Sequence, residues 1–259
     1  MSLNDKVIVV TGASSGIGAL AAQMLSEQGA TVVLAARSMD KLQKVSAGMM
    51  GASRLLELNV GDQQSVDSGF KQIYDEFGRI DCLVNNAGYG SFQYCDEMPV
   101  EEFAEMMNVN YLGIVRCTKA VLPSMKAARS GRIVNVASIA GKIGTSKSTA
   151  YTASKHAVLG FSSALRQEVR EYGITVSTIN PGPIDTPFFN IADPEGHYVN
   201  NVKWFMMKPE RVAKAMVSAV RTGTTEVNLP WVAGVGAKFY QMFPRLADVL
   251  SYRMLNKNR

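Results

Sequence analysis

The chain has 259 residues, of which 47% are hydrophobic and 19% charged. This length and composition fit one large α/β domain or two small ones and exclude a wholly disordered chain. No run of 18 apolar residues occurs, and the N-terminal apolar run leads directly into a glycine-rich turn, so we expect neither a transmembrane helix nor a signal peptide. The net charge of +5 is concentrated in segment 230–259, so a spread basic face for nucleic acid is not expected. The charged residues of that segment are Lys238, Arg245, Arg253, Lys257 and Arg259, against Asp248.

The cysteines and histidines do not form a metal-binding or disulfide pattern. Cys82, Cys95 and Cys117 are odd in number and show no CxxC spacing, which indicates free thiols in a reducing cytoplasm. His156 and His197 are far apart, and we expect His156 to be a packing or surface residue. The sequence therefore predicts a cytoplasmic protein without a metal site.

Short β-branched runs alternate with longer amphipathic stretches along the chain. The predicted strands are Lys6–Thr11, Thr31–Ala36, Arg54–Leu58, Asp81–Asn85, Arg132–Ala137, Thr175–Asn180 and Glu226–Leu229. The predicted helices are Gly16–Gln28, Met39–Ala47, Gln63–Phe77, Val100–Ala127, Thr149–Tyr172 and Pro209–Arg221. This alternation predicts an α/β fold, a doubly wound parallel sheet with helices on both faces, in a single domain over residues 1–259. Segment 181–207 lacks periodicity and is predicted to be a substrate loop, and 230–259 a C-terminal tail.

A glycine-rich turn follows the first predicted strand and opens a helix. In this turn one glycine permits a tight bend, a second lets the backbone approach a pyrophosphate, and a third lets the helix pack on the strand. The free N–H groups at the helix N-terminus then face the phosphates. The predicted phosphate-binding residues are Gly12, Ser14, Ser15, Gly16, Ile17 and Gly18.

The residues after the second strand favour NADP(H) over NAD(H). A carboxylate at this point would accept from the ribose 2′-OH and repel a 2′-phosphate, but the chain reads Ala36, Arg37, Ser38. Arg37 can pair with a 2′-phosphate through charge-assisted hydrogen bonds, and Ser38 can add another.

Several motifs occur together in a fixed order between Lys6 and about Leu229. They are the TGASSGIG turn, Asn85–Gly88 (NNAG), Ser138, Tyr151–Lys155 (YTASK) and Pro181-Gly182. In this combination the chain resembles the short-chain dehydrogenase/reductase family. The resemblance implies a Rossmann-type domain, a nicotinamide cofactor, alcohol–carbonyl interconversion, and a homodimer or homotetramer.

The resemblance also assigns further cofactor contacts. Asn86, Ala87 and Gly88 would run beside the adenine ribose, while Ile184 and Thr186, after Pro181-Gly182, would contact the nicotinamide carboxamide. The family usually has Asp and a hydrophobic residue after the third strand, where the carboxylate accepts from the adenine amino group. This chain has Asn59 and Val60 there, and the Asn carbonyl can still accept, with a weaker contact.

Four residues are the predicted catalytic set. Tyr151 and Lys155 are four apart on a predicted helix and so share one face. A nearby ammonium favours the phenolate, so we expect a lowered pKa for Tyr151, which would act as the acid or base. Ser138 can donate to the substrate oxygen. By resemblance, Lys155 also binds the nicotinamide ribose, and Asn110 fixes a water that relays protons from Lys155 to solvent.

The sequence also indicates a substrate pocket and three possible roles for the tail. Apolar candidates suggest a hydrophobic ketone or aldehyde as the small-molecule substrate; they are Tyr89, Phe92, Ile139, Ala140, Ile143, Gly144, Phe188, Phe189 and Trp204. In the tail, apolar residues at helical spacing on either side of Pro244 are compatible with a flap over the pocket, a subunit interface or a peripheral membrane contact. They are Phe239, Tyr240, Phe243, Leu246, Val249 and Leu250.

Two other functions compete with the reductase. One is a nucleotide-binding sensor or scaffold of the same fold without turnover. The other is a different reaction on the same scaffold, such as epimerisation or dehydration, for which no additional acid–base pair stands out.

Overall fold

A seven-stranded parallel sheet forms the centre of the computed structural model, which describes residues 2–245. The strand order is β3-β2-β1-β4-β5-β6-β7, so the direction of winding changes between β1 and β4. The strands are β1 (Val7–Thr11), β2 (Thr31–Ala36), β3 (Ser53–Glu57), β4 (Cys82–Asn85), β5 (Gly131–Val136), β6 (Ile174–Pro181) and β7 (Glu226–Leu229).

Ten α-helices accompany the sheet within residues 2–245. They are α1 (Gly16–Ser26), α2 (Met39–Ala47), α3 (Gln63–Phe77), α4 (Val100–Met107), α5 (Gly113–Ala127), α6 (Thr149–Val169), α7 (Phe188–Ala192), α8 (His197–Val202), α9 (Pro209–Thr222) and α10 (Trp231–Met242). Three short 3₁₀ turns cover Ile139–Gly141, Arg170–Tyr172 and Lys203–Phe205. No helix in the described part is long and apolar enough to cross a bilayer.

The alternation of side chains along β1 explains the two-sided core. Ile8 and Val10 point to one face of the sheet and join α1, α2 and α9, whereas Val7 and Val9 point to the other face and join α3, α5 and α6. Because helices cover both faces, β1 and β2 are buried and almost entirely apolar, as the sequence predicted.

The predicted α/β fold is confirmed, and one predicted helix is wrong. The stretch predicted as a continuous helix from Val100 to Ala127 is interrupted by a π-helical segment, Asn108–Leu112. Segment 181–207, expected to be a loop, contains α7, α8 and a 3₁₀ turn. The β1–β4 change of direction places the carboxyl ends of β1, β2, β4, β5 and β6 around one crevice, the position at which open α/β sheets bind ligands.

Candidate active site

At two of its glycines, the glycine-rich turn after β1 packs too closely against the loop after β4 for any side chain. A Cβ on Gly12, whose φ is +65°, would lie 2.8 Å from the Cα of Ala87. A Cβ on Gly18 would lie 2.3 Å from Nδ2 of Asn86. Glycine is therefore required at Gly12 and Gly18 by space, and at Gly12 also by backbone conformation.

Asn86 holds this turn in place. Its Nδ2 donates to the carbonyl oxygens of Thr11 (3.0 Å) and Gly12 (3.2 Å). In return, Oγ1 of Thr11 accepts from the backbone N–H groups of Asn86 (3.0 Å) and Ala87 (3.1 Å). The Asn86 side chain thus stabilises the turn within the protein. The resemblance implied for Asn86 only a contact with the adenine ribose.

The turn leaves room for a phosphate group at the start of α1. Gly16 has φ +57°, and a Cβ there would meet nothing nearer than the Thr186 methyl group at 3.8 Å. Ser15 precedes the helix in an extended conformation, and the first turn of α1 carries no acidic residue. The first-turn N–H groups and the positive end of the helix dipole therefore suit a pyrophosphate, with Ser14 and Ile17 beside them.

At the end of β2, Arg37 is exposed and Ser38 is partly buried as the N-cap of α2. After β3, Oδ1 of Asn59 accepts from the N–H of Gly61 at 3.1 Å, so one of its two lone pairs is already used. Val60 is buried against Gly113. Of these four predicted cofactor residues, Arg37 and Asn59 are exposed.

Ser138, Tyr151 and Lys155 come together at the carboxyl end of β5. Nζ of Lys155 lies 5.6 Å from the centroid of the Tyr151 ring and donates to the carbonyl oxygen of Val136 at 2.9 Å. Oγ of Ser138 donates to the carbonyl oxygen of Pro181 (3.2 Å) and accepts from the N–H of Ala140 (3.1 Å). The i,i+4 spacing on α6 therefore positions Tyr151 and Lys155 as predicted.

Burial changes the pKa of both partners on α6. It raises the pKa of Tyr151 to about 12, while a hydrogen bond with the Ser138 side chain acts in the opposite direction. It also lowers the pKa of Lys155 to about 8. The prediction of a lowered pKa for Tyr151 is therefore wrong for the protein by itself. Desolvation of the phenol raises the pKa more than the stabilisation of its anion lowers it. At neutral pH Tyr151 is thus a protonated phenol, the form that can donate a proton.

Asn110 lies in the π-helical segment and is fully buried. Its Oδ1 accepts from the N–H of Tyr89 at 2.9 Å. Its Nδ2 donates to the carbonyl oxygen of Tyr89 (2.9 Å) and to Oγ of Ser154 (3.1 Å). A Cβ on Gly88 would lie 2.8 Å from Oδ1 of Asn110 and 3.7 Å from Nζ of Lys155. Asn110 therefore connects the β4 loop to α6 directly beside Lys155.

Four aromatic rings form a wall next to Tyr151, and three of them were pocket candidates. Phe92 and Phe188 have ring centroids 5.8 and 5.7 Å from that of Tyr151. Phe189 and Tyr198 complete the group, with Tyr198 only 4.9 Å from Phe92. Sequence reasoning missed Tyr198, since it lies in a segment without periodicity; its place in an aromatic-rich stretch was the available signal.

The other pocket candidates do not belong to this group of rings. Trp204 is 81% exposed, and its ring packs against Phe205 and not against the rings beside Tyr151 in the described part of the chain. Tyr89, like Tyr151, packs against a small buried cluster of Met98, Met106 and Ala150. Ile139, Ala140 and Ile143 are partly buried and Gly144 is exposed, all in the segment after Ser138.

The segment after β6 reaches back toward the glycine-rich turn. The N–H of Gly182 donates to the carbonyl oxygen of Leu229 at 2.7 Å, and Ile184 pairs with Met207. The side chain of Thr186 lies 3.8 Å from the position that a Cβ on Gly16 would take. Pro181, Gly182, Ile184 and Thr186 therefore follow the open side of the crevice, where the resemblance put the nicotinamide carboxamide.

Metal ligands do not cluster within residues 2–245. Cys82 and Cys117 are buried free thiols, and Cys95 is an exposed one. His156 is exposed, with Nδ1 2.9 Å from the carbonyl oxygen of Thr152. The tail residues Phe239, Tyr240 and Phe243 belong to α10 or its end, whereas Leu246, Val249 and Leu250 lie outside the described residues.

Comparison with known proteins agrees with this geometry. The family model for short chain dehydrogenase matches residues 6–195. Dehydrogenase/reductase SDR family member 7 from Mus musculus is 36% identical over 268 residues, covering 97% of this chain and 78% of that protein. The 3-oxoacyl-(acyl-carrier-protein) reductase FabG from Vibrio harveyi is 41% identical over 186 residues, covering 72% of this chain and 76% of that protein.

A solved structure gives the same result in three dimensions. The alcohol dehydrogenase from the archaeon Thermococcus sibiricus, complexed with 5-hydroxy-NADP, superposes with a TM-score of 0.78 at 29% identity. The match covers 87% of this chain and 96% of that one. The family model spans more than half of the chain, and the mouse relative is 36% identical over 97% of it. The chain belongs to the short-chain dehydrogenase/reductase family of oxidoreductases.

Proposed function

We propose that the protein interconverts a carbonyl compound and an alcohol by hydride transfer with NADP(H), using Tyr151 as the acid–base group. The observation that carries this proposal is the grouping of three residues at one point of the crevice. Tyr151 is a phenol with a raised pKa, Ser138 provides a second hydroxyl group, and Lys155 is a buried amine 5.6 Å from the Tyr151 ring.

NADP(H) suits the residues that line the crevice. When bound, the cofactor supplies or accepts the hydride, which no side chain can do. The glycine-rich turn and the start of α1 would hold its pyrophosphate, and exposed Arg37 would pair with the 2′-phosphate. The complex of the Thermococcus sibiricus relative with 5-hydroxy-NADP supports this preference.

The remaining chemistry is proton transfer and charge stabilisation. In the reducing direction, Tyr151 would donate its proton to the carbonyl oxygen. The Ser138 hydroxyl would turn away from the carbonyl oxygen of Pro181 and donate a hydrogen bond to the same substrate oxygen. The charge of Lys155 would stabilise the resulting phenolate, and its Nζ would also bind the nicotinamide ribose. Asn110 would order a water for reprotonation beside Lys155, and its bonds to Tyr89 and Ser154 would keep that region rigid.

The substrate we propose is apolar near its carbonyl group. Phe92, Phe188, Phe189 and Tyr198 provide flat apolar surface next to Tyr151, and none of these side chains carries a positive charge that could form an ion pair with an anionic substrate. Segment 181–207 would then act as the substrate loop of a single-domain enzyme. We further propose a homodimer or homotetramer in the cytoplasm, where the free thiols stay reduced.

The test is consumption of NADPH by the wild-type protein with a panel of apolar ketones, aldehydes and 3-oxoacyl thioesters. Each apolar ketone is paired with an analogue that carries a carboxylate, as a matched control. We expect turnover of at least one apolar compound, slower turnover of its charged partner, and a clear preference for NADPH over NADH. Tight NADPH binding without turnover of any compound would instead favour the nucleotide sensor.

A further inference from the structure

Helix α10 exposes an unusually apolar surface. Its large apolar side chains include Trp231, Val235, Phe239 and Met242, together with Phe243 directly after the helix, and their exposed fractions run from 43% for Phe239 to 71% for Met242. An exposed helix face normally carries polar and charged residues. An apolar face of this kind is typical of a surface that binds a partner.

These residues lie on one side of the helix. At 3.6 residues per turn, positions 231, 235, 239 and 242 fall within a sector of roughly 80°, and 232, 236 and 243 extend the same sector to about 140°. The opposite side is formed by Gly234 and Ala237, which are buried, and Gly234 packs on Asn228 of β7. The outward sector contains no polar residue from Trp231 to Phe243. We call these exposed residues the α10 face.

The α10 face lies at the same edge of the sheet as the candidate active site. Helix α10 follows the carboxyl end of β7 and contacts the 3₁₀ turn Ile139–Gly141, which begins directly after Ser138. The segment that leaves the carboxyl end of β6 carries two more exposed apolar side chains, Ile191 and Trp204. A surface bound through the α10 face would therefore be close to the entrance of the crevice.

Basic residues accompany the α10 face. Lys238 lies beside the apolar sector, and Arg245 follows the helix; both are exposed. The sequence continues with Arg253, Lys257 and Arg259 against a single acid, Asp248. Aromatic and aliphatic residues on one face, bordered by basic residues, are typical of helices that lie in the interface of an anionic membrane.

We propose that the α10 face docks the protein on the surface of an anionic phospholipid membrane. The basic residues near α10 favour this partner over a second copy of the chain and over residues 246–259 of the same chain. In a symmetric pairing of two copies, the same patch meets itself, so the basic segments of both chains would lie together and repel. Folding residues 246–259 back over α10 would bring their three basic residues toward Lys238 and Arg245, with only Asp248 to offset them. An anionic lipid surface satisfies both the apolar face and the basic residues.

The proposal is independent of the catalytic activity and is tested by flotation with vesicles. We expect the full-length wild-type protein to bind phosphatidylcholine vesicles that contain phosphatidylglycerol at least tenfold more strongly than pure phosphatidylcholine vesicles, and high salt to weaken this binding. The double variant Val235→Glu/Phe239→Glu should bind the anionic vesicles at least tenfold more weakly. The variant Lys238→Glu/Arg245→Glu should lose the preference for anionic lipid.

Met50→Glu is the matched control, because Met50 is an exposed apolar residue after α2, away from α10. It adds negative charge without touching the α10 face, so its vesicle binding should stay within twofold of the wild type. Circular dichroism and the mass in solution should be unchanged in all variants. Three results would overturn the proposal: no binding of the wild type to anionic vesicles, an equal loss with Met50→Glu, or a lower oligomer mass in the Val235→Glu/Phe239→Glu variant, which would identify a subunit interface.

Discussion

Replacing Lys155 by methionine should make the protein more stable and less active. Lys155 is 5% exposed, and its amine donates to the carbonyl oxygen of Val136 at 2.9 Å. Burial lowers its pKa from 10.5 to about 8, so at neutral pH the protein carries a charge that its interior disfavours. Methionine is unbranched and similar in length, and it fills the same space without that charge.

The size of the effect follows from the pKa. The fall from 10.5 to about 8 corresponds to about 3 kcal/mol, since each pKa unit is worth about 1.4 kcal/mol. Loss of the hydrogen bond to Val136 offsets about 1 kcal/mol. Lys155→Met should therefore raise the free energy of unfolding by about 2 kcal/mol at neutral pH, while removing the charge that would stabilise a Tyr151 phenolate should lower turnover by two or more orders of magnitude.

The stability gained by Lys155→Met should decrease as the pH rises. Between pH 8 and 10.5 the unfolded chain keeps the proton on Lys155 that the folded wild type has lost, so wild-type stability from this residue rises with pH in that window. The advantage of Lys155→Met should be complete below pH 8 and should shrink to less than about 1 kcal/mol near pH 9.5. Urea denaturation at the two pH values, with reductant present, measures both quantities. A variant less stable than the wild type at pH 7, or a difference that does not change with pH, would refute this reasoning.

The remaining predictions concern the cofactor and the substrate oxygen. Arg37→Ala should weaken NADPH binding by roughly 10- to 100-fold, because a charge-assisted hydrogen bond is worth about 1.5–3 kcal/mol, and should leave NADH within about twofold. Equal weakening of both cofactors, measured by fluorescence titration, would show that Arg37 does not bind the 2′-phosphate. Ser138→Ala should lower kcat by about 10²–10³ with little change in cofactor affinity. A defect mainly in cofactor binding would contradict the role given to Ser138.

The sheet and the glycine-rich turn could be predicted because local patterns determine them. Continuous apolar runs predicted buried parallel strands, and Gly12 and Gly18 occupy positions where space excludes any other residue. The spacing of Tyr151 and Lys155 likewise fixed their common face, since that follows from helix geometry alone.

The features that sequence reasoning missed depend on contacts between distant segments. The π-helical segment interrupts a sequence pattern that predicts an ordinary α-helix. Side-chain hydrogen bonds stabilise this segment: Arg116 donates to Asn108, and Asn110 donates to the carbonyl oxygen of Tyr89. The raised pKa of Tyr151 depends on rings such as Phe92 that reach it from other parts of the chain. Neither residue spacing nor composition contains that information.

Loss of the Tyr151 hydroxyl alone tests the proposed mechanism most directly. Tyr151→Phe keeps the ring that packs on Phe92 and Phe188 and removes the proton donor. Tyr74→Phe removes a distant hydroxyl, bonded to Ser124 on the surface of α5, and serves as the control. With NADPH and an apolar ketone that the wild type reduces, we predict that kcat falls by about 10²–10⁴ in Tyr151→Phe, with NADPH affinity retained, and stays near the wild-type value in Tyr74→Phe. A Tyr151→Phe variant that keeps more than about a tenth of the wild-type kcat would contradict the assignment of Tyr151 as the proton donor.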